Sequence, residues 1–387
     1  MKYVFLQIVT FSLFINGCTK QRPTIDQGEQ DAMTTNQRTE IGSQHLDIFI
    51  GTYTSEEGSK GIYKVQLDTA KGEFGEVQLI AETASPSFIA LNNDKTQLFA
   101  VNELVPDGTI SSFTKGQDDQ WTLISQLPAL GSAPCHISIN DQESMIAVAN
   151  YVSGNVTSYP INQGTIEDKA TTGQHEGTGP NAQRQEGPHA HFTQFSKDQQ
   201  WLYVVDLGID EIKAYPVVEN GIGEAKSAIK LNLGDGPRHF VFHPTLDIAY
   251  VVNELSNTVI AAEVNTKTAE FTEFDRETTL PSDFEEHSQC ADIHITSDGK
   301  FLYASNRGHN SIAVCSLGEE GKISLVDITS VEGNWPRNFM LTPNEEHLLV
   351  ANEWSDNIVL FDRDPTTGLI NYSGKQIALS KPVCLIN

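Results

Sequence analysis

Residues 134–150 read PCHISINDQESMIAVAN. Two short apolar runs flank a polar turn, one opening on Pro134 and the other closing on Asn150. Bounded runs of this length, rich in Ile and Val, are strand signals. The layout recurs at 237–253 as PRHFVFHPTLDIAYVVN and at 336–352 as PRNFMLTPNEEHLLVAN. Aligning every copy on its closing residue gives Asn102, Asn150, Asp206, Asn253, Asn306 and Asn352. Sixteen residues before each stands Pro86, Pro134, Ala190, Pro237, Cys290 and Pro336. The copies recur every 46 to 56 residues. About four short strands per period of roughly 50 residues is the pattern of a propeller blade. A seventh slot, Pro382, lies in the terminal KPVCLIN, and its continuation stands at the other end as DIFIGTY and GIYKVQL. The spacing therefore predicts an all-β, seven-bladed β-propeller closed by pairing the N- and C-terminal strands, an arrangement that removes exposed sheet edges.

Working outward, the 387 residues are 39% hydrophobic and 20% charged, which suits a packed core and excludes wholesale disorder. Acidic residues outnumber basic ones 51 to 25, for a formal charge of −26. That balance lacks the basic footprint a nucleic-acid binder needs. It also repels anionic membranes, so a site for an anion has to be built locally.

The leader MKYVFLQIVTFSLFINGC (1–18) has Lys2 followed by an apolar run too short to span a bilayer, as in a signal peptide. Its end resembles a lipoprotein box, with Cys18 as the lipidated residue. Residues 19–45 are polar and aperiodic and read as a disordered tether; residues 46–387 form the expected propeller domain. These features predict an exported lipoprotein facing the periplasm or cell surface, touching membrane only through its lipid. Cys135, Cys290, Cys315 and Cys384 each sit inside an apolar run and read as buried free thiols.

In a propeller the innermost strand starts at the face to which the second strand returns. Residues just after each slot and just after each closing Asn should therefore gather at one mouth of the central channel. With Asp292 taken as the fifth copy's counterpart, the first set is Ser87, Cys135, His191, Arg238, Asp292, Arg337 and Val383. The second is Glu103, Tyr151, Leu207, Glu254, Arg307 and Glu353. A purely structural repeat would fill such places alike, whereas these vary and ionise, as a site requires. Of eight arginines, Arg238, Arg307 and Arg337 fall on these positions, and Arg184 lies in the longest insertion, HEGTGPNAQRQEGPHAH. Arginine's planar fork suits carboxylate or phosphate. The competing reading is that these arginines pair with Glu254 or Glu353 to staple blades.

The segments PCHIS, RQEGPHAH, VVDLG, GPRH followed by FHP, YVVNEL, LYASNRGHNSIAV and ANEWSDNIVLF resemble the lactonase family of seven-bladed propellers, over roughly 47–387. That family includes bacterial 6-phosphogluconolactonases and fungal carboxymuconate cycloisomerases. The resemblance implies hydrolysis of a sugar lactone at the channel mouth. It carries over to His136, Arg184, Glu186, His189, His191, Asp206, Arg238, His239, Asn253, Glu254, Arg307 and His309. The fifth copy departs from the family's pattern in TTLPSDFEEHSQCADIH, and the leader is atypical of cytosolic members.

The expected chemistry is opening of 6-phosphogluconolactone or a related aldono-lactone by base-activated water, with arginine stabilising the developing anion. The expected catalytic set is His136, Arg184, Glu186, His189, Arg238, Glu254 and Arg307. The base is expected to be His136 or His189, or else Glu254. Substrate contacts are expected from His191, Asp206, His239, Asn253, His309 and Arg337. The chain has no G-x-S-x-G elbow, against a serine esterase. No metal and no cofactor is expected, and a self-closed ring points to a monomer. A muconate-lactone cycloisomerase and a non-enzymatic ligand-binding propeller stay open as alternatives.

Overall fold

The computed structural model describes residues 45–117 and 120–387; the leader with Cys18, and all but the last residue of the tether, lie outside them. The described chain contains no helix. It forms seven antiparallel sheets, each with four principal strands, and three of the sheets add a short fifth strand.

The closing sheet joins both ends of the chain. Pro382–Ile386 pairs antiparallel with His45–Thr52, setting Leu385 opposite Ile50. Gly51 is required at this joint, because a Cβ there would lie 2.5 Å from the carbonyl oxygen of Pro86.

The second strand is buried along its whole length in four blades, as in Met145–Asn150 and Ile248–Asn253, and all but its first residues are buried in the others. It is sandwiched between neighbouring blades, which is why these runs read as continuously apolar rather than alternating. The core lies between the blades. One cluster joins Tyr203 and Val205 of one blade to Phe240 and Phe271 of the next. All four cysteines are buried and free, as expected.

The repeated Asn has a mechanical role. Its side-chain amide donates to the loop that leads into its own blade: Asn102 to Ala84 O at 2.6 Å, Asn306 to Thr279 O at 2.9 Å, and Asn150 to Ala129 O at 3.3 Å. The residue before the slot turns through positive φ in five blades, at Ser85, Ala133, Gly236, Trp335 and Lys381. Its carbonyl then accepts the N–H of the residue after the closing position, as in Glu103 to Ser85, Tyr151 to Ala133, Glu254 to Gly236 and Glu353 to Trp335. These bonds hold the second ring of residues to the channel mouth.

Strand register corrects one alignment. His239 pairs with Val252, while Ile293 pairs with Ala304, so Asp292 stands level with His239 and not with Arg238. Ala291 occupies the fifth copy's place in the outer layer.

Candidate active site

Four arginines reach the mouth. Arg238 opens its blade's innermost strand, Pro237–Phe242. Arg307 ends a second strand, Phe301–Arg307. Arg337 follows Pro336, and Arg184 is delivered by the long insertion. The insertion is anchored by Gln185, which is fully buried and donates to Asp210 Oδ1 at 2.7 Å and to Leu207 O at 2.9 Å.

Three of these arginines converge on Glu254, which is 2% exposed. Arg307 Nη2 lies 2.7 Å from its Oε2, Arg184 Nη2 2.5 Å from its Oε1, and Arg238 Nε 3.1 Å from its Oε2. Arg238 Nε is not aligned to donate, so that contact is Coulombic. Backbone carbonyls fix both inner guanidinium groups, since Arg307 donates to Cys290 O and Arg238 to Ala291 O, each at 2.7 Å. Arg184 is held further by Gln289 Oε1 at 2.8 Å and the Tyr151 hydroxyl at 3.3 Å. The pairing reading is thus met in part, but three positive charges face one negative, leaving a cationic surplus.

The local electrostatics follow. Burial alone would raise the Glu254 carboxyl; Arg307, Arg238 and Arg184 outweigh it and hold it down at about 2. Burial pulls Arg238 down to about 9, helped by Arg307 and Arg337. Arg307 is lowered too, chiefly by burial.

Beneath this layer, a cavity is lined in part by Ser87, Cys135, His191, Arg238, His239 and Arg337. His239 Nδ1 lies 2.9 Å from Asp292 Oδ1, an acceptor, so Nδ1 carries the proton and Nε2 the lone pair, 3.3 Å from Arg238 Nη1. Burial, then Arg238, lowers His239 to about 4, leaving it neutral at physiological pH. His191 is also held well below its usual range by burial and the nearby arginines, and its buried Nδ1 has no hydrogen-bond partner among the described residues.

The remaining expected residues divide. His136 is sandwiched between Phe88 and Phe192 at centroid distances of 4.1 and 4.2 Å. Its Nδ1 receives the Thr193 N–H at 3.2 Å, so its Nε2 bears the proton. This tautomer makes His136 a donor and corrects its expected role as base. Glu254 is corrected likewise: a carboxylate held at about 2 by three cations is too weak a proton acceptor. His189 sits at the rim, stacked on Tyr151 and facing the Tyr151 carbonyl at 2.9 Å and the exposed Glu186 at 3.3 Å.

Three expected substrate contacts have structural partners instead. Asp206, fully buried, accepts from His189 N, Gly208 N and His175 Nδ1 and so roots the insertion. Asn253 ends its strand and donates to Thr258 Oγ1 on the following one at 3.0 Å. His309 bonds Ser311 Oγ at 2.7 Å, edge-on to Phe284. Among the described residues, no three His, Cys, Asp or Glu side chains are placed to hold a metal ion.

Sequence reading passed over Asp292 as a site residue, together with Tyr151, Gln289 and Gln185. Asp292 and Tyr151 occupy ring positions in the repeat and were findable there; Gln289 stands one residue before its slot, outside those positions. Gln185 carries no such signal.

Comparison with known proteins agrees with this architecture. A family model described as lactonase, 7-bladed beta-propeller, matches residues 47–387. The 6-phosphogluconolactonase of Bacillus subtilis (strain 168) is 37% identical over 340 residues, covering 87% of this chain and 97% of that protein. A crystal structure of a Lactobacillus plantarum protein superposes with a TM-score of 0.82 at 32% identity, covering 88% of this chain and 98% of that one. The periplasmic gluconolactonase of Pseudomonas aeruginosa gives a TM-score of 0.82 at 27% identity, with the same coverage of 88% and 98%.

Proposed function

We propose that this chain, which belongs to the lactonase family of seven-bladed β-propellers, opens an aldono-lactone to its hydroxy acid at the arginine-lined mouth. The observation that carries the reading is the convergence of Arg184, Arg238 and Arg307 on the single carboxylate of Glu254 beside a neutral histidine. Among the described residues, neither Arg238 Nη2 nor Arg307 Nη1 makes a hydrogen bond, so both keep donors for an oxyanion or a carboxylate.

In this reading Asp292 fixes the tautomer of His239, and Arg238 Nη1, which donates to the His239 Nε2 lone pair at 3.3 Å, turns to the substrate oxygen. That frees Nε2 to take a proton from water as the water oxygen bonds to the lactone carbonyl carbon. The tetrahedral oxyanion rests against Arg238 and Arg307. The ring C–O bond then breaks, and the leaving alkoxide takes the proton back from His239. One water is consumed, and the acid formed ionises in neutral solution. An ester as strained as a δ-lactone asks for little more than this.

The names of the relatives support both a phosphorylated and an unphosphorylated sugar lactone. The leader composition, with Cys18 as a lipidation residue, favours export. Sugar phosphates are made inside cells, so an exported enzyme meets unphosphorylated aldono-lactones, and we take these as the substrate class. Alkali uptake at constant pH, corrected for spontaneous opening, tests the reading on glucono-δ-lactone, 6-phosphoglucono-δ-lactone and muconolactone. Glucono-δ-lactone opening well above the spontaneous rate is expected; no acceleration of any of the three overturns the reading.

A further inference from the structure

The mouth has two chemically unlike arcs. Glu254 and Arg307 belong to the fifth and sixth blades counted from the closing one. On the seventh, first and second blades, the equivalent ring positions hold Glu353, Tyr53 and Glu103, each fixed by its N–H to the carbonyl before the slot. The Tyr53 hydroxyl donates to Glu103 Oε2 at 2.9 Å. Arg337 lies over the Tyr53 ring, 5.2 Å from its centroid, and its Nη1 is 3.9 Å from Glu353 Oε2. That Glu353 oxygen is closed off from solvent and accepts no hydrogen bond among the described residues. A buried carboxylate oxygen without a donor is costly unless something else supplies one. One arc thus sets three positive charges against one negative, and the other sets two negative charges against one positive.

An anionic end turns to the first arc. The second, rich in acceptors, wants donors, and a ring that carries hydroxyl groups supplies them. We propose that Glu353 and Glu103, with Tyr53, form a hydroxyl-recognition arc that selects polyhydroxylated lactones and their aldonates over hydroxyl-free rings of the same size. This rests on the lactone reading above and assigns its specificity to residues outside the arginine cluster. A lactone with a second carboxylate in place of hydroxyls would press that charge against Glu103 and Glu353, so the same arc disfavours dicarboxylate substrates.

The test compares two monoanions of equal chain length, D-gluconate and hexanoate, by titration calorimetry on the wild type, Glu353→Gln and Glu103→Gln. It is paired with kcat/KM for glucono-δ-lactone and δ-valerolactone, and thermal unfolding checks that each variant is folded. The wild type is expected to bind gluconate at least about tenfold more tightly than hexanoate, as hydrogen bonds to charged groups allow. Glu353→Gln is expected to cut that preference at least about fivefold, with glucono-δ-lactone turnover falling several-fold more than δ-valerolactone turnover. Equal affinity for the two anions, absence of gluconate binding at millimolar concentration, or a preference unaltered in both variants overturns the arc. Should the preference fall in Glu353→Gln while no lactone is opened, the lactonase reading fails and the arc stands. Should lactones be opened with the preference unaltered, the arc fails and the lactonase reading stands.

Discussion

The Nδ1 of His239 lies 2.9 Å from Asp292 Oδ1, across the boundary between two blades. The same carboxylate reaches His294 Nε2 at 2.9 Å and accepts from Asn338 Nδ2 at 2.5 Å, so it ties three consecutive blades at the channel. Burial by itself raises the Asp292 carboxyl, and His294 and His239 more than reverse that, keeping it ionised well below the usual carboxylate range. With Asp292→Asn the charge is lost, and the amide oxygen can face His239 only by turning the NH2 onto the Asn338 Nδ2 and Phe339 N donors; turned the other way, the NH2 selects the other His239 tautomer, which points a proton where the lone pair should be. We expect kcat for glucono-δ-lactone to fall at least about a hundredfold, in line with the loss of an orienting carboxylate elsewhere. Steady-state rates, read beside the variant's melting temperature, check this.

A second expectation concerns pH. His239 acts when neutral, and its folded pKa is lowered to about 4. Activity is therefore full above that value and lost as pH falls through it, so kcat/KM should show an acid limb near 4. An acid limb at the ordinary histidine value of about 6.5 points to a different base. The rate profile between pH 3.5 and 7 decides between them, after subtraction of spontaneous opening.

Glu254 supplies a third. Its carboxyl is held at about 2 in the fold against roughly 4.3 in an unfolded chain. A depressed carboxyl contributes stability that is present above the unfolded value and lost as pH falls toward the folded one. Glu254→Gln leaves two buried guanidinium groups, Arg238 and Arg307, and the half-buried Arg184 without their shared counter-charge, so it should cost about 3–5 kcal/mol in urea unfolding at pH 7. It should also flatten the fall in stability between about pH 4.3 and 2, while leaving the acid limb of the rate profile in place because Glu254 is not the base.

A fourth follows from the seam. The last strand covers the edge of His45–Thr52 and fills the core with Val383, Cys384 and Leu385, none more than 3% exposed. Removing residues 382–387 uncovers both an apolar face and an unpaired edge. The truncated chain should lose its cooperative thermal transition and aggregate, as seen by calorimetry and light scattering.

Much of this was legible in the sequence because the repeat has a local mechanical cause. The Asn amide clamps its own lead-in loop, and the positive-φ turn before the slot sets where each copy begins. Both act within one blade, so both leave a fixed spacing. Arg238, Arg307 and Arg337 were readable for the same reason, since their ring positions follow from that spacing. What could not be read lies between blades. No spacing pairs His239 with Asp292, brings Arg184 to Glu254 across 70 residues, or gives the His136 lone pair to Thr193. Asp292 was misplaced by one layer because the fifth copy's Ala291 is featureless and the acid beside it drew the alignment. Asp206 differs from the other closing residues for a structural reason. The insertion replaces the ordinary lead-in loop, and its anchors are donors, so an acceptor is needed there.

The central claim is that a cationic hub on the channel axis stabilises the anion formed when a lactone is opened. Its most direct test is kcat/KM for glucono-δ-lactone in Arg238→Ala and Arg238→Lys, each shown to be folded and corrected for spontaneous opening. The account expects Arg238→Ala to lose at least about a hundredfold, in keeping with removal of an oxyanion donor, and Arg238→Lys to recover part of it. A specificity constant in Arg238→Ala equal to that of the wild type contradicts it.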